Sequence, residues 1–348
     1  RLKNTTPEKK ELKLVYYLKL VLGEDETKTS GYINLDFDQN SNIIYAKNLY
    51  SQDIKDSKCY ISSSEKIKSF TGNKKAFIGN GTLKKPEALK QIKLGNENSL
   101  GEQPCVAIEV NVELKAFEDK EIVFVLGADE TRTQEIAYKY TIPENARKEL
   151  ENTKKYWNDL LRKVSVKTPI ESMNILLNGW LAYQTIACRL WARSGFYQSG
   201  GAYGFRDQLQ DTMGIKYIST DFMKKQILEH ASHQFIEGDV EHWWHTETMR
   251  GIRTRFSDDL LWLAYVTAEY IKFTGDTSIL DEKVPYVSGE ILQDGEDENY
   301  DIHMPTDIIE EIYKHCIRAI DKGINLGEHG IPKIGSGDWN DGFSTVGN

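Results

Sequence analysis

A glycine-flanked stretch close to the C-terminus holds the residue types that carbohydrate cleavage needs. Residues 335–342 read GSGDWNDG and place Asp338, Trp339 and Asp341 close together. A carboxylic acid can protonate the oxygen that leaves when a glycosidic bond breaks, and an indole offers a flat face to a sugar ring. Acids beside glycine are also common turn formers, so either aspartate could simply shape the loop.

Two acids in one short loop are not expected to be the acid and base of a hydrolase. An inverting hydrolase separates its two carboxyl groups by about 6.5–9.5 Å, usually with residues from different segments. The base would therefore come from elsewhere, and the candidates are Asp207, Glu237 and Asp239. An inverting glucoside hydrolase remains one function that the sequence allows.

Loop glycines precede a basic and an acidic residue in residues 197–213, YQSGGAYGFRDQLQDTM. Arg206 can donate and Asp207 can accept hydrogen bonds, so the pair could hold sugar hydroxyls. An ion pair of Arg206 with Asp207 or Asp211 at a helix end explains the residues equally well. A phosphate-cradling loop is disfavoured, because no Gly-Lys-Ser or Gly-Lys-Thr follows the glycines.

Arginines and aspartates also meet in residues 250–259, RGIRTRFSDD, at the head of an apolar run. Asp258 and Asp259 can cap a helix that starts here, because acids are favoured at its positive end. Alternatively, one Arg–Asp pair of this segment grips two glycosyl hydroxyls. The two roles are compatible, since one acid can cap the helix while the other binds.

Histidines, acids and tryptophans are concentrated in residues 237–245, EGDVEHWWH. His242 and His245 lie three apart and could ligate a metal if the segment were helical. The third ligand of a known zinc pattern is not visible, so a sugar-lined or structural aromatic loop is the favoured interpretation. We therefore expect neither a metal nor another cofactor.

The distribution of tryptophan divides the chain, because none of its seven tryptophans precedes Trp157. Before that point, alternating and β-branched segments at 12–22, 106–112 and 122–126 predict strands with a buried face. Residues 1–142 are therefore predicted to form a β-sandwich that is incomplete at its N-terminus.

A helical part follows this sandwich. Residues 144–163 contain neither glycine nor proline, so 143–167 is predicted to be a helical linker. Between 168 and 348, helical runs alternate with polar loops that carry aromatic residues. The clearest helices are predicted at 170–192, 258–273 and 308–320. This pattern favours an α/α arrangement whose loops carry the site.

Charge and composition exclude several classes of function. The net charge of −9 argues against binding to nucleic acid or to an anionic membrane, since both need a positive surface. No stretch approaches the ~18 apolar residues of a membrane span, and the first residues carry no signal-peptide core. The four scattered cysteines have no metal or disulfide spacing, which indicates free thiols in a reducing compartment such as the cytoplasm.

Five strings, in order along the chain, resemble the inverting phosphorylases of glycoside hydrolase family 94. They lie at residues 189–213, 234–245, 250–265, 274–286 and 329–343 and include GGAYGFRDQLQD, EGDVEHWWH, RTRFSDDLLW, TGDTSILDE and GSGDWNDG. Within the family the likeness is strongest to the phosphorylase-type region of cyclic β-1,2-glucan synthases and to 1,2-β-oligoglucan phosphorylases. It continues more weakly through residues 60–165 and so covers most of the chain.

The resemblance implies an N-terminal β-sandwich, a helical linker and the first half of an (α/α)6 barrel over residues 168–348. It also implies that Asp341 is the general acid and that Trp339 lies near the sugar. The implied residues of the glucosyl site are Arg253 and Asp259, supported by Arg206 and Asp207.

The implied reaction is phosphorolysis of a β-glucoside with inversion to α-glucose 1-phosphate. Protonated Asp341 would protonate the glycosidic oxygen while inorganic phosphate attacks the anomeric carbon, so no catalytic base is needed. An apolar wall, for which Trp339 is the candidate, would keep Asp341 protonated. The implied partners are a β-glucan oligosaccharide and phosphate, and the family's frequent dimers leave a homodimer open.

The family pattern extends beyond Asn348, so we expect this chain to be an internal fragment that is inactive by itself. Further barrel helices, a C-terminal domain and most of the phosphate-binding residues would follow. An alternative places the chain in a membrane-bound cyclic β-1,2-glucan synthase, where it would bind the polymer without cleaving it.

Overall fold

The computed structural model describes residues 1–23, 26–50, 58–128, 131–191, 201–246 and 248–342. The chain divides into two compact units, Arg1–Lys155 and Tyr156–Asn348. Helix α4 (Pro143–Leu161) begins in the first unit and ends in the second. The bounds of the predicted linker, 143–167, stay a prediction.

The first unit is built mainly from antiparallel strands. Its strands are β1 (Leu2–Lys3), β2 (Lys10–Lys19), β3 (Ile33–Asp38), β4 (Ile43–Asn48), β5 (Cys59–Ser63), β6 (Ile67–Asn73), β7 (Pro104–Leu114), β8 (Asp119–Lys120) and β9 (Phe124–Ala128). Its other helices are α1 (Glu26–Thr29), α2 (Lys74–Ile78) and α3 (Thr133–Thr141), with 3-10 turns at Ser30–Tyr32 and Glu87–Lys90.

Two sheets of this unit share one core. One has the order β2-β7-β6 and the other β3-β4-β5-β9, while β1 and β8 form a separate pair. Ile44 and Ile61 of the second sheet lie in the same buried cluster as Ile108 and Val110 of the first. Apolar residues from both inner faces thus fill the space between the sheets, which confirms the predicted β-sandwich.

The second unit combines helices with two small sheets. Its helices are α5 (Glu171–Ile175), α6 (Leu181–Gln184), α7 (Phe205–Ile215), α8 (Thr220–Ala231), α9 (Leu261–Thr274) and α10 (Ile312–Gly323), with π-helical turns at Leu176–Trp180 and Thr185–Trp191 and a 3-10 turn at Thr277–Asp281. Its strands are β10 (Tyr203–Gly204), β11 (Glu241–His245), β12 (Arg250–Thr254), β13 (Lys283–Val287), β14 (Glu298–Ile302) and β15 (Pro305–Glu311). The strand orders are β10-β11-β12-β14 and β13-β15.

Helices α7 to α10 meet in the main core of this unit. Leu209, Ile227, Val266 and Ala319, one from each helix, lie in a single buried cluster. None of the helices in the described part of the chain is long and apolar enough to cross a membrane. The arrangement fits the predicted α/α character, and closure into an (α/α)6 barrel stays a prediction.

Two predicted helices have different bounds in the structure. The helix predicted at 308–320 begins only at Ile312, because Ile309 and its neighbours pair with β13 as part of β15. Isoleucines at 308 and 309 suit a strand through their β-branched side chains. The helix predicted at 258–273 begins at Leu261. The helix predicted at 170–192 corresponds to α5, α6 and their π-helical turns as far as Trp191, and residue 192 lies outside the described residues.

Candidate active site

The glycine-flanked loop docks onto the segment that precedes α9. Gly335 pairs with Phe256 as an isolated β-bridge, and the Ser257 N–H donates to the Gly337 carbonyl at 2.9 Å. Gly335 has a φ of +69°, and a Cβ there would lie 2.1 Å from the Arg255 carbonyl oxygen. Only glycine permits this backbone conformation and this close approach. The loop is therefore fixed at its start by backbone contacts.

Side chains of the loop determine how it turns. Asp338 Oδ1 accepts the Asn340 N–H at 2.8 Å, so Asp338 shapes the loop as predicted. Trp339 is 67% exposed, and the side chain of Asp341 is 57% exposed. The indole is thus exposed to solvent, and the expected apolar wall around Asp341 stays a prediction.

A buried arginine anchors this loop. Arg206 lies at the start of α7, and its side chain is only 5% exposed. Its Nη1 donates to the Asp338 carbonyl and its Nη2 to Asp341 Oδ1, both at 2.7 Å. Nη1 also donates to Asp258 Oδ1 at 2.9 Å and lies 3.5 Å from Asp259 Oδ1. One guanidinium thus joins acids from two separate segments.

Charge holds this cluster together. Burial lowers the pKa of Arg206, but Asp259, Asp341 and Asp258 outweigh it and raise that pKa above its ordinary value. Burial is also the main cause that raises the pKa of Asp258, and the neighbouring Asp259 carboxylate adds to it. The guanidinium is therefore permanently charged. The carboxyl groups around it compete for its N–H donors.

The two acids before α9 do not cap the helix with their side chains, so that prediction is wrong. The first amide groups of α9 bond to backbone carbonyls instead, with Leu261 N–H to Asp258 at 3.0 Å and Trp262 N–H to Asp259 at 3.2 Å. The Asp258 carboxylate instead accepts from Arg206 and from Trp262 Nε1. Both carboxylates thus contribute to the site rather than to the helix end.

His242 joins this cluster from β11 and was not singled out for the site by the sequence. Glu241 pairs with Arg253 and Trp243 with Ile252, so His242 is the extra residue of a β-bulge. Such a bulge re-aims one side chain of a strand. His242 Nδ1 donates to Asp259 Oδ2 at 2.6 Å, and its Nε2 lies 3.9 Å from Asp341 Oδ2.

The metal-site alternative for His242 and His245 assumed a helix, and both lie on a strand. His242 is hydrogen-bonded to Asp259, while His245 packs its ring edge-on against Trp243. Across the described ranges, no three His, Cys, Asp or Glu side chains are grouped so that they could hold a metal ion.

Arg253 belongs to a different network from Asp259, its predicted partner in the glucosyl site. Its side chain is 1% exposed and stacks on the Phe235 ring at 3.9 Å from the ring centre. Its acceptors are both oxygens of Asp239 (2.6 and 2.7 Å), Glu237 (3.0 Å) and the carbonyls of Gly289 (3.2 Å) and Glu290 (3.0 Å). A guanidinium has five N–H donors, and all five are used here.

The remaining candidate, Asp207, lies beside the cluster rather than in it. Its Oδ1 is 3.8 Å from Arg206 Nε, which is longer than a hydrogen bond. The structure therefore assembles Arg206, Asp259 and Asp341 directly, with Asp207 alongside. Trp339 lies on the same loop as Asp341, and Arg253 belongs to the separate network around Asp239.

Sequence models of one family match both parts of the chain. The model described as the glycosyl hydrolase 94 superfamily, catalytic domain, matches residues 156–348. The model described as the glycosyl hydrolase 94 supersandwich domain matches residues 1–143.

Curated relatives from three bacteria show the same likeness. The cyclic beta-(1,2)-glucan synthase NdvB of Rhizobium meliloti is 34% identical over 99% of this chain and 12% of its own length. The solabiose phosphorylase of Paenibacillus borealis is 25% identical over 99% of this chain and 42% of its own length. The 1,2-beta-oligoglucan phosphorylase of Listeria innocua is 26% identical over 50% of this chain and 16% of its own length. The chain thus spans less than half the length of each relative.

Proposed function

The chain belongs to glycoside hydrolase family 94, and from that premise we propose that it carries the proton-donating part of an inverting β-glucoside phosphorylase site. The observation that carries the proposal is the exposed acid Asp341 on a loop that the buried Arg206 anchors. Phosphate is the co-substrate of phosphorylases in this family, and no other cofactor is part of the proposal.

In the proposed reaction, Asp341 Oδ2–H protonates the glycosidic oxygen as the bond to the anomeric carbon breaks. An oxygen of inorganic phosphate attacks that carbon from the opposite face, so a β-glucoside gives α-glucose 1-phosphate. Phosphate is already an anion and a competent nucleophile, so the reaction requires no second carboxylate to activate water.

The sugar contacts are proposed from exposure and from unsatisfied atoms. Trp339 is exposed beside Asp341 and can take the face of a sugar ring. Asp259 Oδ1 has no hydrogen-bond partner among the described residues and lies 3.5 Å from Arg206 Nη1. Because it is buried, it can accept from a sugar hydroxyl only after the groups that cover it move. Arg206 and Asp207 support this contact. Arg253, with all its donors engaged, supports the site by joining the segments that surround it.

The inverting hydrolase is the weaker alternative. Two of its candidate bases, Asp239 and Glu237, are engaged with Arg253, and both oxygens of Asp239 accept from it. A carboxylate held in this way would have to break an ion pair before it could activate water. The third candidate, Asp207, lies beside the Arg206 guanidinium.

A β-1,2-linked glucan is the proposed substrate class. The support is the likeness to a cyclic β-1,2-glucan synthase over 99% of the chain. The same likeness keeps the second candidate function in view, in which this region binds the polymer within a synthase without cleaving it.

Product analysis with the full-length protein separates these functions. We expect β-1,2-gluco-oligosaccharides to give α-glucose 1-phosphate, detected by ³¹P and ¹H NMR, only when inorganic phosphate is present. Oligosaccharides with β-1,3 and β-1,4 links serve as comparison substrates. Free glucose without any need for phosphate would point to a hydrolase, and glucan binding without turnover would point to the polymer-binding role.

A further inference from the structure

The two oxygens of Asp341 face two different partners. Oδ1 accepts from Arg206 Nη2 at 2.7 Å, while Oδ2 lies 3.9 Å from His242 Nε2. A shift of about 1 Å by this exposed carboxyl group would bring Oδ2 into hydrogen-bond range of the imidazole. Oδ2 is therefore the oxygen that can exchange a proton with the protein.

The imidazole is held in one orientation. His242 Nδ1 donates to the buried Asp259, and the Phe256 ring packs 4.4 Å from the centre of the His242 ring. Because Asp259 can only accept, the proton on Nδ1 is fixed and Nε2 is the nitrogen left to face Asp341. The bulge at His242 is what turns the side chain towards this position.

We propose that His242 is a positioning residue that stores the catalytic proton and delivers it to Asp341. This inference rests on the proposed function, because it explains how an acid paired with arginine can still act as a proton donor. In the resting site Asp341 Oδ1 accepts from Arg206 Nη2, and the stored proton resides on His242 Nε2.

The surrounding charges favour this arrangement. His242 faces Asp259 from the segment before α9, Asp341 from the loop, and Arg206 from α7, with the uncharged Phe256 ring against it. Burial lowers the pKa of His242. The hydrogen bond and the charge of Asp259, together with the charge of Asp341, raise this pKa overall, and Arg206 opposes them with a smaller effect.

Glu241, the residue before His242, does not face this imidazole but bonds to His233 and His303.

The proton balance closes over one turnover. The Nε2–H bond of His242 breaks and an Oδ2–H bond forms on Asp341, which leaves a neutral imidazole and a carboxylic acid. Oδ2–H then breaks as the sugar leaving group gains its O–H bond and a phosphate oxygen bonds to the anomeric carbon. The new phosphate monoester releases its proton to solvent, and His242 Nε2 takes one up. No net proton is consumed.

The test is the pH dependence of kcat for the full-length protein and for His242→Gln. If His242 holds the proton, the alkaline limb of kcat moves at least about one pH unit lower in the variant, which is about a fivefold loss at the wild-type half-maximum. KM for the glucan and for phosphate stays near the wild-type value. The matched control is His245→Gln, the same change on the same strand, which leaves the limb in place.

A uniform fall of kcat at every pH with an unmoved limb would overturn the proposal and leave His242 a structural residue. If His242→Gln does not fold, ¹⁵N-histidine NMR of the wild type and of Asp341→Asn provides a second measurement. We expect the pKa of His242 to fall in Asp341→Asn, because a neighbouring negative charge is lost, and an unchanged pKa overturns the proposal. This NMR test remains valid even if phosphorolysis itself is not found, so failure of the two proposals can be told apart.

Discussion

Arg206 Nη2 and Asp341 Oδ1 form a 2.7 Å ion pair, although 135 positions separate the two residues in the sequence. The guanidinium is nearly inaccessible and the carboxylate is largely exposed. A buried cation thus fixes the place of the exposed acid that we propose as the proton donor. The guanidinium stays protonated at ordinary pH, so it positions Asp341 without itself exchanging a proton with it.

Removing this cation should destabilise the second unit. Arg206→Met removes the guanidinium beside Asp258 and the buried Asp259, although Asp259 keeps its hydrogen bond to His242. We expect the free energy of unfolding at pH 7 to fall by about 3–5 kcal/mol. The loss should shrink in acid as the carboxylates protonate. Tryptophan fluorescence during urea unfolding measures it, because every tryptophan of this chain lies in the second unit.

Arg255→Met is the matched control for that measurement. Within the part of the chain that the structure describes, the Arg255 side chain donates to the backbone carbonyls of Leu292, Gln293 and Glu296. No buried carboxylate is left unpaired, so we expect a loss of only about 1 kcal/mol. Equal losses for both variants would mean that the acid cluster does not depend on Arg206.

Two glycines test how the loop is docked. Gly335→Ala places a methyl group 2.1 Å from the Arg255 carbonyl, whereas Gly330 has nearly the same φ and nothing within 4 Å of its added Cβ. Both variants carry a backbone strain of about 1 kcal/mol, but only Gly335→Ala must move the loop. We expect a strong loss of kcat for Gly335→Ala alone, measured in the full-length protein. Similar activity in both variants would contradict the docking role.

Arg253→Lys separates a structural role from a sugar-binding one. Lysine has three donors and cannot bond Asp239 through two parallel N–H groups, so we expect a stability loss of about 2–4 kcal/mol. Thermal unfolding and substrate KM should be measured on the same samples. An unchanged melting temperature with a raised KM would restore the direct sugar contact that the sequence predicted.

Glu310 makes a pH-dependent contribution to the free energy of unfolding. It accepts hydrogen bonds from Arg318 Nε and from the Tyr286 hydroxyl, both at 2.8 Å. Arg318 is the main cause that lowers the pKa of Glu310 to about 2. A lowered carboxyl pKa stabilises the fold above the unfolded value of about 4.5, and this stabilisation is lost as the pH falls towards 2.

Glu310→Gln should therefore reduce the free energy of unfolding by about 1–2 kcal/mol at pH 7 and by progressively less below pH 4.5. Glu311→Gln removes the same charge one residue along and serves as the control. Denaturant unfolding at several pH values gives both curves. A Glu310→Gln deficit that persists unchanged at pH 2.5 would contradict this account.

Local signals in the sequence predicted much of the architecture. The strands β2 and β7 follow from alternating apolar residues, and the loop at Asp338 follows from Asp and Asn beside glycine. The prediction that residues 308–311 begin a helix is wrong, because two isoleucines followed by two glutamates fit a strand and the first turn of a helix equally well. Only pairing with β13 decides between them.

The networks of the site were less accessible to sequence reasoning. The position of His242 depends on a one-residue β-bulge, and no local sequence pattern predicts that register shift. Arg253 and Arg206 lie in similar acidic surroundings, yet the fold assigns Asp239 to one and Asp341 to the other. Such assignments depend on contacts between residues far apart in the chain.

Asp341 is the proposed proton donor of a phosphorylase, and one assay tests this role most directly. Phosphate release from α-glucose 1-phosphate, with sophorose as acceptor, should be measured for the full-length protein, Asp341→Asn and Asp338→Asn. We expect Asp341→Asn to lose about 10²–10⁴-fold in kcat with unchanged folding, while Asp338→Asn keeps its turn-forming oxygen and most of the activity. Wild-type turnover in Asp341→Asn would contradict the claim.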